Sequence, residues 1–389
     1  MISLRESRFS DLLAHVVDNR GKTCPTAAWG TPLIATNCVT GRQKYPTMDT
    51  QRFVDDETMR TWFRGHPQPG DILFVCKGAP GRVAVVPDPV PFCIAQDMVA
   101  VRADPAVMDQ GYLYYLLSQE KTRSAIGNLN VGTMIPHFKK GDFPRLKLQH
   151  HESLETQRAI AEVLGALDDK IAANEKAWRL ADDLRRLTFS SGLDDATHVP
   201  LSEVARFVNG RPFTKDASGS GRPVIRIAEL NSGFGGSTVY NDIEVADDHV
   251  ARPGDLLFAW SGSLTLRRWY LREGIVNQHI FKVLPAEGWP LWLVASLLER
   301  KLDEFKAIAA DKATTMGHIQ RRHLDDPVSV PTQGWLESNG AKLKSLWDIA
   351  LAMELESQRL AALRDALLPE LMSGRLRVKD VEKTVEEVV

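Results

Sequence analysis

An excess of positive charge is missing from this chain: 48 Lys and Arg stand against 50 Asp and Glu, for a formal net charge of −2 over 389 residues. Any surface that meets phosphates must therefore be a local concentration of cations rather than a property of the whole molecule. Cysteine is scarce. Cys24, Cys38, Cys76 and Cys93 lie in the first quarter without a Cys-x-x-Cys spacing, which argues against structural zinc and a disulfide framework and leaves them as small buried hydrophobes. No apolar run approaches the roughly 18 residues that span a bilayer, and Met1-Ile2-Ser3-Leu4-Arg5-Glu6 is no signal-peptide core, so a cytoplasmic protein is expected.

Nucleotide and cofactor signatures are missing too. Gly78-Ala79-Pro80-Gly81-Arg82 and Gly219-Ser220-Gly221-Arg222 lack the lysine of a phosphate loop, and the run from Gly233 matches no dinucleotide fingerprint. The Asn-Pro-Pro-aromatic motif of amino-methyltransferases is absent. His150-His151 is the one tempting metal pair, and adjacent histidines before a helix are expected to be solvated rather than ligating. No catalytic residue, metal or cofactor is expected in this chain.

What is present is a repetition. Pro69-Gly70-Asp71-Ile72-Leu73-Phe74 returns 184 positions later as Pro253-Gly254-Asp255-Leu256-Leu257-Phe258. Thr133-Met134 with His137 is echoed by Thr315-Met316 with His318, and Ser191-Gly192 by Ser373-Gly374. Stacked solenoid repeats run at roughly 20–50 residues, so units this long are two domains. Asp71 and Asp255 follow glycine and precede an apolar strand, the position of a turn-capping carboxylate.

Each copy ends in a helical pattern. Ile160, Leu164, Leu167 and Ile171, continued by Trp178, Ala181, Leu184 and Leu187, alternate steps of three and four, with Gly192 as the stop. Residues 155–190 would make a helix of about 54 Å at 1.5 Å per residue. The second copy carries Leu343, Leu346, Ala350, Met353, Leu360, Leu363, Leu367 and Leu371, with Pro369 placed to bend or break the last turn. Two matching stripes are expected to bury against each other as a coiled coil. Asp168-Asp169 and Asp182-Asp183 are assigned to the solvated face. Between the helices, short β-rich runs (71–76, 82–86, 94–101, 224–227, 281–284) and helical runs (111–118, 292–300) predict an α+β body in each copy.

The groups suited to DNA cluster in two loops per copy. The loop after the shared strand holds Lys77 and Arg82 in the first copy, and Trp260, Ser261, Arg267 and Arg268 in the second. The later loop holds Thr133, His137, Lys139 and Lys140, or Thr314, Thr315, His318, Gln320, Arg321 and Arg322. Cations position phosphates while hydroxyl, amide and imidazole groups reach backbone or base, so unlike loops on a shared scaffold suit two different half-sites.

The stretch from Glu155 to Asn174 (Glu155-Thr156-Gln157-Arg158-Ala159-Ile160-Ala161-Glu162), the ending Leu363-Arg364-Asp365-Ala366-Leu367-Leu368-Pro369-Glu370-Leu371-Met372-Ser373-Gly374, and the Gly-Asp-Ile/Leu-Leu-Phe strand of each copy closely resemble the specificity subunits of type I restriction-modification systems. The resemblance covers almost the whole chain. It implies two repeated target-recognition domains, 1–151 and 193–335, joined by two long antiparallel coiled-coil helices, 152–192 and 336–378, before a charged tail, 379–389. It also implies a non-catalytic reader of a split double-stranded DNA site that docks methyltransferase subunits, and restriction subunits through them. S-adenosylmethionine, ATP and magnesium would belong to those partners. The helix positions Ile160, Leu164, Leu167, Ile171, Leu346, Met353, Leu360 and Leu367 are the expected docking residues. A protein-binding scaffold built on the helix pair is the alternative reading, separated from DNA binding by the steep salt dependence of the latter.

Overall fold

The computed structural model describes residues 3–19, 21, 23–41, 43–129, 136–311 and 317–381. Thr133, Thr314 and Thr315 lie outside them. Two compact units form, one from the residues up to Ala172 together with those from Leu360 onward, the other from Ala173 to Arg359.

In the first unit, β1 (Leu13–Val17), β2 (Ile72–Val75), β3 (Val83–Val85) and β4 (Met98–Ala103) make an antiparallel sheet in the order β1-β4-β2-β3. The run Ile72-Leu73-Phe74-Val75 is apolar throughout because both faces of its strand are covered. Ile72 and Phe74 join the core built by Phe9, Phe138, Phe143 and helix α1 (Gln110–Ser118), while Leu73 and Val75 join a second core with Ile34, Val39 and Phe92. A small sheet of Thr31–Ile34, Phe53–Val54 and Cys93–Ile94 contributes Ile34 and Ile94 to that second core. Gly70 turns into β2 at φ +83°, and the Asp71 carboxylate accepts from the Gln68 amide at 2.8 Å and pairs with Arg102 at 2.7 Å.

The second unit repeats the plan. Strands β5 (Ala205–Asn209), β6 (Leu256–Ala259), β7 (Thr265–Arg268) and β8 (Ile280–Pro285) run in the order β5-β8-β6-β7. Leu256 and Phe258 face a core that includes helix α3 (Leu291–Asp311), and Leu257 and Ala259 face the other. Asp255 accepts from the Arg252 amide at 2.7 Å and meets Lys282 at 3.0 Å. The expected turn-capping role of both aspartates is what the geometry shows.

Antiparallel strand pairs, Leu4–Arg8 with Lys147–His151 and Thr197–Pro200 with Pro327–Val330, close each unit just before its long helix starts. These helices are α2 (Leu154–Ser190) and α4 (Gln333–Ser373), the latter continuing through Pro369. Within the first unit Ile160, Leu164 and Leu167 of α2 share a core with Leu360, Leu367 and Leu371 of α4. Truncating a buried leucine such as Leu164 to alanine is expected to cost about 2–5 kcal/mol. The pair runs antiparallel: His151 donates from Nε2 to the Leu371 carbonyl at 2.9 Å, and Arg364 reaches Asp168 at 2.6 Å. In the second unit Asn174 donates to Glu356 at 2.7 Å, and Phe189 packs with Leu343 and Trp347. No described helix is long and apolar enough to cross a membrane.

Several side chains depart from the sequence reading. Leu184 and Leu187, expected in the seam, are exposed; Arg185, at 0% exposure, takes the inward place with Asp182. One carboxylate of each Asp-Asp pair is buried rather than solvated. Asp168 accepts from the Tyr115 hydroxyl at 2.7 Å as well as from Arg364, and Asp182 pairs with Arg185 at 3.4 Å. His150 and His151 are buried, not solvated, because each ring finds a carbonyl: His150 Nδ1 donates to the His151 oxygen at 2.9 Å. Burial pushes the His151 imidazole below its ordinary range. The docking assignment also changes. Ile160, Leu164, Leu167, Leu360 and Leu367 are core residues, Ile171 packs against that core, and Leu346 and Met353 are half-buried. These side chains hold the helices in place.

The four cysteines are free and buried, as their composition-level reading requires. Burial lifts the Cys93 thiol to about 12.

Candidate nucleic-acid interface

The same hydrogen-bond frame appears at the end of the central strand in both units. In the first, the Cys76 and Lys77 amides donate to the Asp97 carbonyl at 2.7 and 3.2 Å, the Gly78 amide to the Pro136 carbonyl at 3.0 Å, and the Phe138 amide to the Cys76 carbonyl at 2.7 Å. In the second, the Trp260 amide donates to the His279 carbonyl at 3.1 Å, Gly262 to Gly317 at 2.9 Å, and Ile319 to Trp260 at 3.1 Å. Isolated bridges pair Lys77 with His137 and Ser261 with His318. Gly78 and Gly262 sit at φ +85° and +68°, a conformation that a side chain would strain.

Buried anchors hold the later loop against this frame. Phe138, 5.8 Å from the Phe74 ring and stacked on Phe143 at 5.6 Å, draws the chain inward, and Ile319 takes the same place in the second unit. The next residues turn out to solvent. Lys139 and Lys140 are exposed in the first unit, and Gln320, Arg321 and Arg322 in the second. Short turns follow, in which the Lys139 amide donates to Asp142 at 3.0 Å and the Gln320 amide to His323 Nδ1 at 3.1 Å.

What the frame displays differs between units. In the first, Lys77, His137, Lys139 and Lys140 surround a concavity of about 540 Å³ together with Asp18 and Asp97. Lys77 is 3.8 Å from Asp97, and both side chains are about half exposed, which makes this a solvent-screened pair of small energetic weight. In the second, Trp260 is held by its indole N–H on Asn209 at 2.8 Å and stacks on Phe281 at 5.8 Å, with His279 at 5.2 Å and His318 at 6.4 Å from its ring. Arg321 and Arg322 open onto a groove of about 690 Å³ shared with Ser202, Arg206 and Phe207.

Of the residues named from sequence, Lys77, His137, Lys139 and Lys140 come together, as do Trp260, Ser261 and His318, with Gln320, Arg321 and Arg322 beyond. Ser261 is itself buried, and Arg267 is exposed. Arg82 stands apart: it is half-buried, its Nε is enclosed without a hydrogen-bond partner among the described residues, and burial lowers its pKa. Arg268 does not serve this surface. Only 7% exposed, it donates to Glu354 at 2.7 Å and Asp182 at 3.3 Å and lies over the Trp347 ring at 4.5 Å. A guanidinium so committed is not available to a phosphate. Sequence reading had passed over Asp18, Asp97, Asn209 and His279, though the spacing of 182 between Asp97 and His279 was a usable signal. Among the described residues, no three His, Cys, Asp or Glu side chains gather as a metal site needs.

Residues 34–178 match the family model for the type I restriction modification DNA specificity domain. Over 355 residues the chain is 21% identical to the type I restriction enzyme MjaIX specificity subunit of Methanocaldococcus jannaschii, covering 80% of this chain and 79% of that protein. The solved S subunit of a type I restriction-modification system from M. genitalium superposes with a TM-score of 0.58 at 16% identity, over 95% of this chain and 96% of that one. That likeness shows a shared fold, with the two α+β domains and paired long helices described above. With the family domain matched over residues 34–178 and the same frame repeated in the second unit, the chain is similar to the specificity subunits of type I restriction-modification systems and shares their fold.

Proposed function

We propose that this chain is the non-catalytic address of its complex: each unit reads one half of an asymmetric, split double-stranded DNA site through the loops at the end of its central strand. The observation that carries this reading is one backbone frame built twice, with a Lys-rich, acid-containing display in one unit and an aromatic, Arg-rich display in the other. A common scaffold with unlike donors and acceptors is what two different half-sites require. Lys139, Lys140, Arg321 and Arg322 would set register on phosphates, and Lys77, His137, Trp260, His318 and Gln320 would lie nearer the bases.

Two methyltransferase subunits would dock on the long helices, and restriction subunits through them, in the cytoplasm. With the seam buried, the surface left for a methyltransferase helix includes Leu180, Leu184 and Leu187, exposed at 58%, 45% and 71% on one face of α2. The target base of each half-site would be flipped into a partner's pocket, where S-adenosylmethionine is bound. The test is methylome sequencing of cells carrying the companion methyltransferase with and without this chain. A split motif that appears only with the chain is expected; unchanged methylation with an active, bound partner would refute the reading.

A further inference from the structure

Among the described residues only three non-glycine residues hold a left-handed backbone, Asp97 at φ +66°, Asp216 at +55° and His279 at +74°. Two of the three, Asp97 and His279, are the same position of the repeat, 182 residues apart. Each carbonyl accepts the amide that opens the first loop, Cys76 at 2.7 Å and Trp260 at 3.1 Å. The backbone there is common to both units, and glycine would satisfy it without strain. Instead, one unit carries a carboxylate and the other an imidazole. Strained positions that keep a side chain gather at functional sites, and here the side chain is the part that varies.

The setting of Asp97 adds a second argument. A carboxylate beside Lys77, in a concavity that also holds Lys139 and Lys140, repels phosphate and weakens the cluster as an anion site. As an acceptor-only group it suits a base edge that offers an exocyclic amine, cytosine N4 or adenine N6. In the second unit His279 packs 5.2 Å from the Trp260 ring, which holds an imidazole able to donate to a purine N7.

Resting on the DNA-reading role proposed above, we infer that this repeat position is a specificity-determining one. Asp97 contacts an amine-bearing base in one half-site, and His279 contacts a different base edge in the other.

The experiment uses the full chain with its methyltransferase and reads the methylated motif for the wild type and for Asp97→Asn, Asp97→Gly and His279→Asn. Both Asn and Gly tolerate the left-handed backbone, so the fold is kept. Thermal unfolding of each variant accompanies the sequencing. Each Asp97 variant is expected to lose roughly tenfold or more of its discrimination at one base of one half-site, leaving the other half unchanged. His279→Asn is expected to do the same in the opposite half-site. If Asp97→Asn and Asp97→Gly both retain the wild-type motif, the residue is a turn former and the inference is wrong. A loss of methylation that is equal across all sequences and tracks lowered thermal stability also overturns it. A wild-type complex with no defined motif would instead bring down the DNA-reading role itself.

Discussion

Replacing Arg268 with methionine removes the one cation that two buried carboxylates share. Its Nε lies 2.7 Å from Glu354, its Nη2 3.3 Å from Asp182, and all three side chains are nearly or wholly enclosed. Methionine preserves the apolar stem over Trp347 and leaves Glu354 without its cation, while Asp182 keeps Arg185 at 3.4 Å. Breaking a buried pair by removing one partner costs about 3–5 kcal/mol, and the surviving Arg185 contact places the expected loss near the lower end, about 3 kcal/mol. For a unit of this size that is roughly 6–12 °C in the unfolding of residues 173–359, read by thermal denaturation with hydrogen exchange on α3. The exposed Arg267→Met is the control, with a change under about 0.5 kcal/mol.

The pH dependence supplies a second readout of the same substitution. Burial first, then the negative charge of Asp182, hold the Glu354 carboxyl above its ordinary value of 4.5 even with Arg268 beside it. A carboxyl whose folded pKa is raised contributes stability below the unfolded pKa and loses it as pH rises. Without Arg268 the rise is larger, so the variant's deficit should be greatest near neutrality and shrink toward pH 5. A loss below about 1 kcal/mol, or a deficit that grows on acidification, would refute the argument.

His151, held neutral by burial, which outweighs the opposing effect of its hydrogen bond to the Leu371 carbonyl, should make the first unit lose stability as pH falls below the ordinary 6.5, since the unfolded chain then binds the extra proton; denaturation between pH 7.5 and 5.5 should show a slope that His151→Gln reduces. Gly210→Ala should destabilise the second unit by about 1–3 kcal/mol, because a Cβ there would lie 2.2 Å from the Asn277 oxygen, whereas Gly236→Ala, with open space around it, should be neutral. Equal stability of the two glycine variants would contradict the packing. Joint replacement of Lys139 and Lys140 by alanine should weaken DNA binding on every sequence and lower the slope of log affinity against log salt by about two. An effect confined to one half-site would move these lysines from phosphates to bases.

The internal repeat was open to inspection in the sequence because Gly-Asp followed by an apolar strand is a local device: the turn needs glycine's positive φ and a carboxylate on the preceding amides. Strands β2 and β6, the long helices and the cation-bearing loops follow from equally local patterns. The sequence reading failed where burial depends on partners far along the chain. Helical periodicity tells which residues share a face, not which face is covered. Arg185 is buried because Ser296 and Glu299, more than a hundred residues on, complete its hydrogen bonds at 2.7 and 2.8 Å. Leu184 and Leu187 are displaced to solvent by the same arrangement.

Asp168, Asp182, His151 and Arg268 make the same point from the polar side. In sequence each is a solvent-seeking group; in the fold each meets a counter-charge or carbonyl that only tertiary packing brings within 3.4 Å, and the desolvation cost is offset there. By itself the sequence determined two copies of an α+β module, their long helices and the family resemblance, because these rest on patterns a few residues long. Tertiary structure decided which charged groups face solvent and which are consumed inside, since that depends on distances between segments that no local pattern encodes.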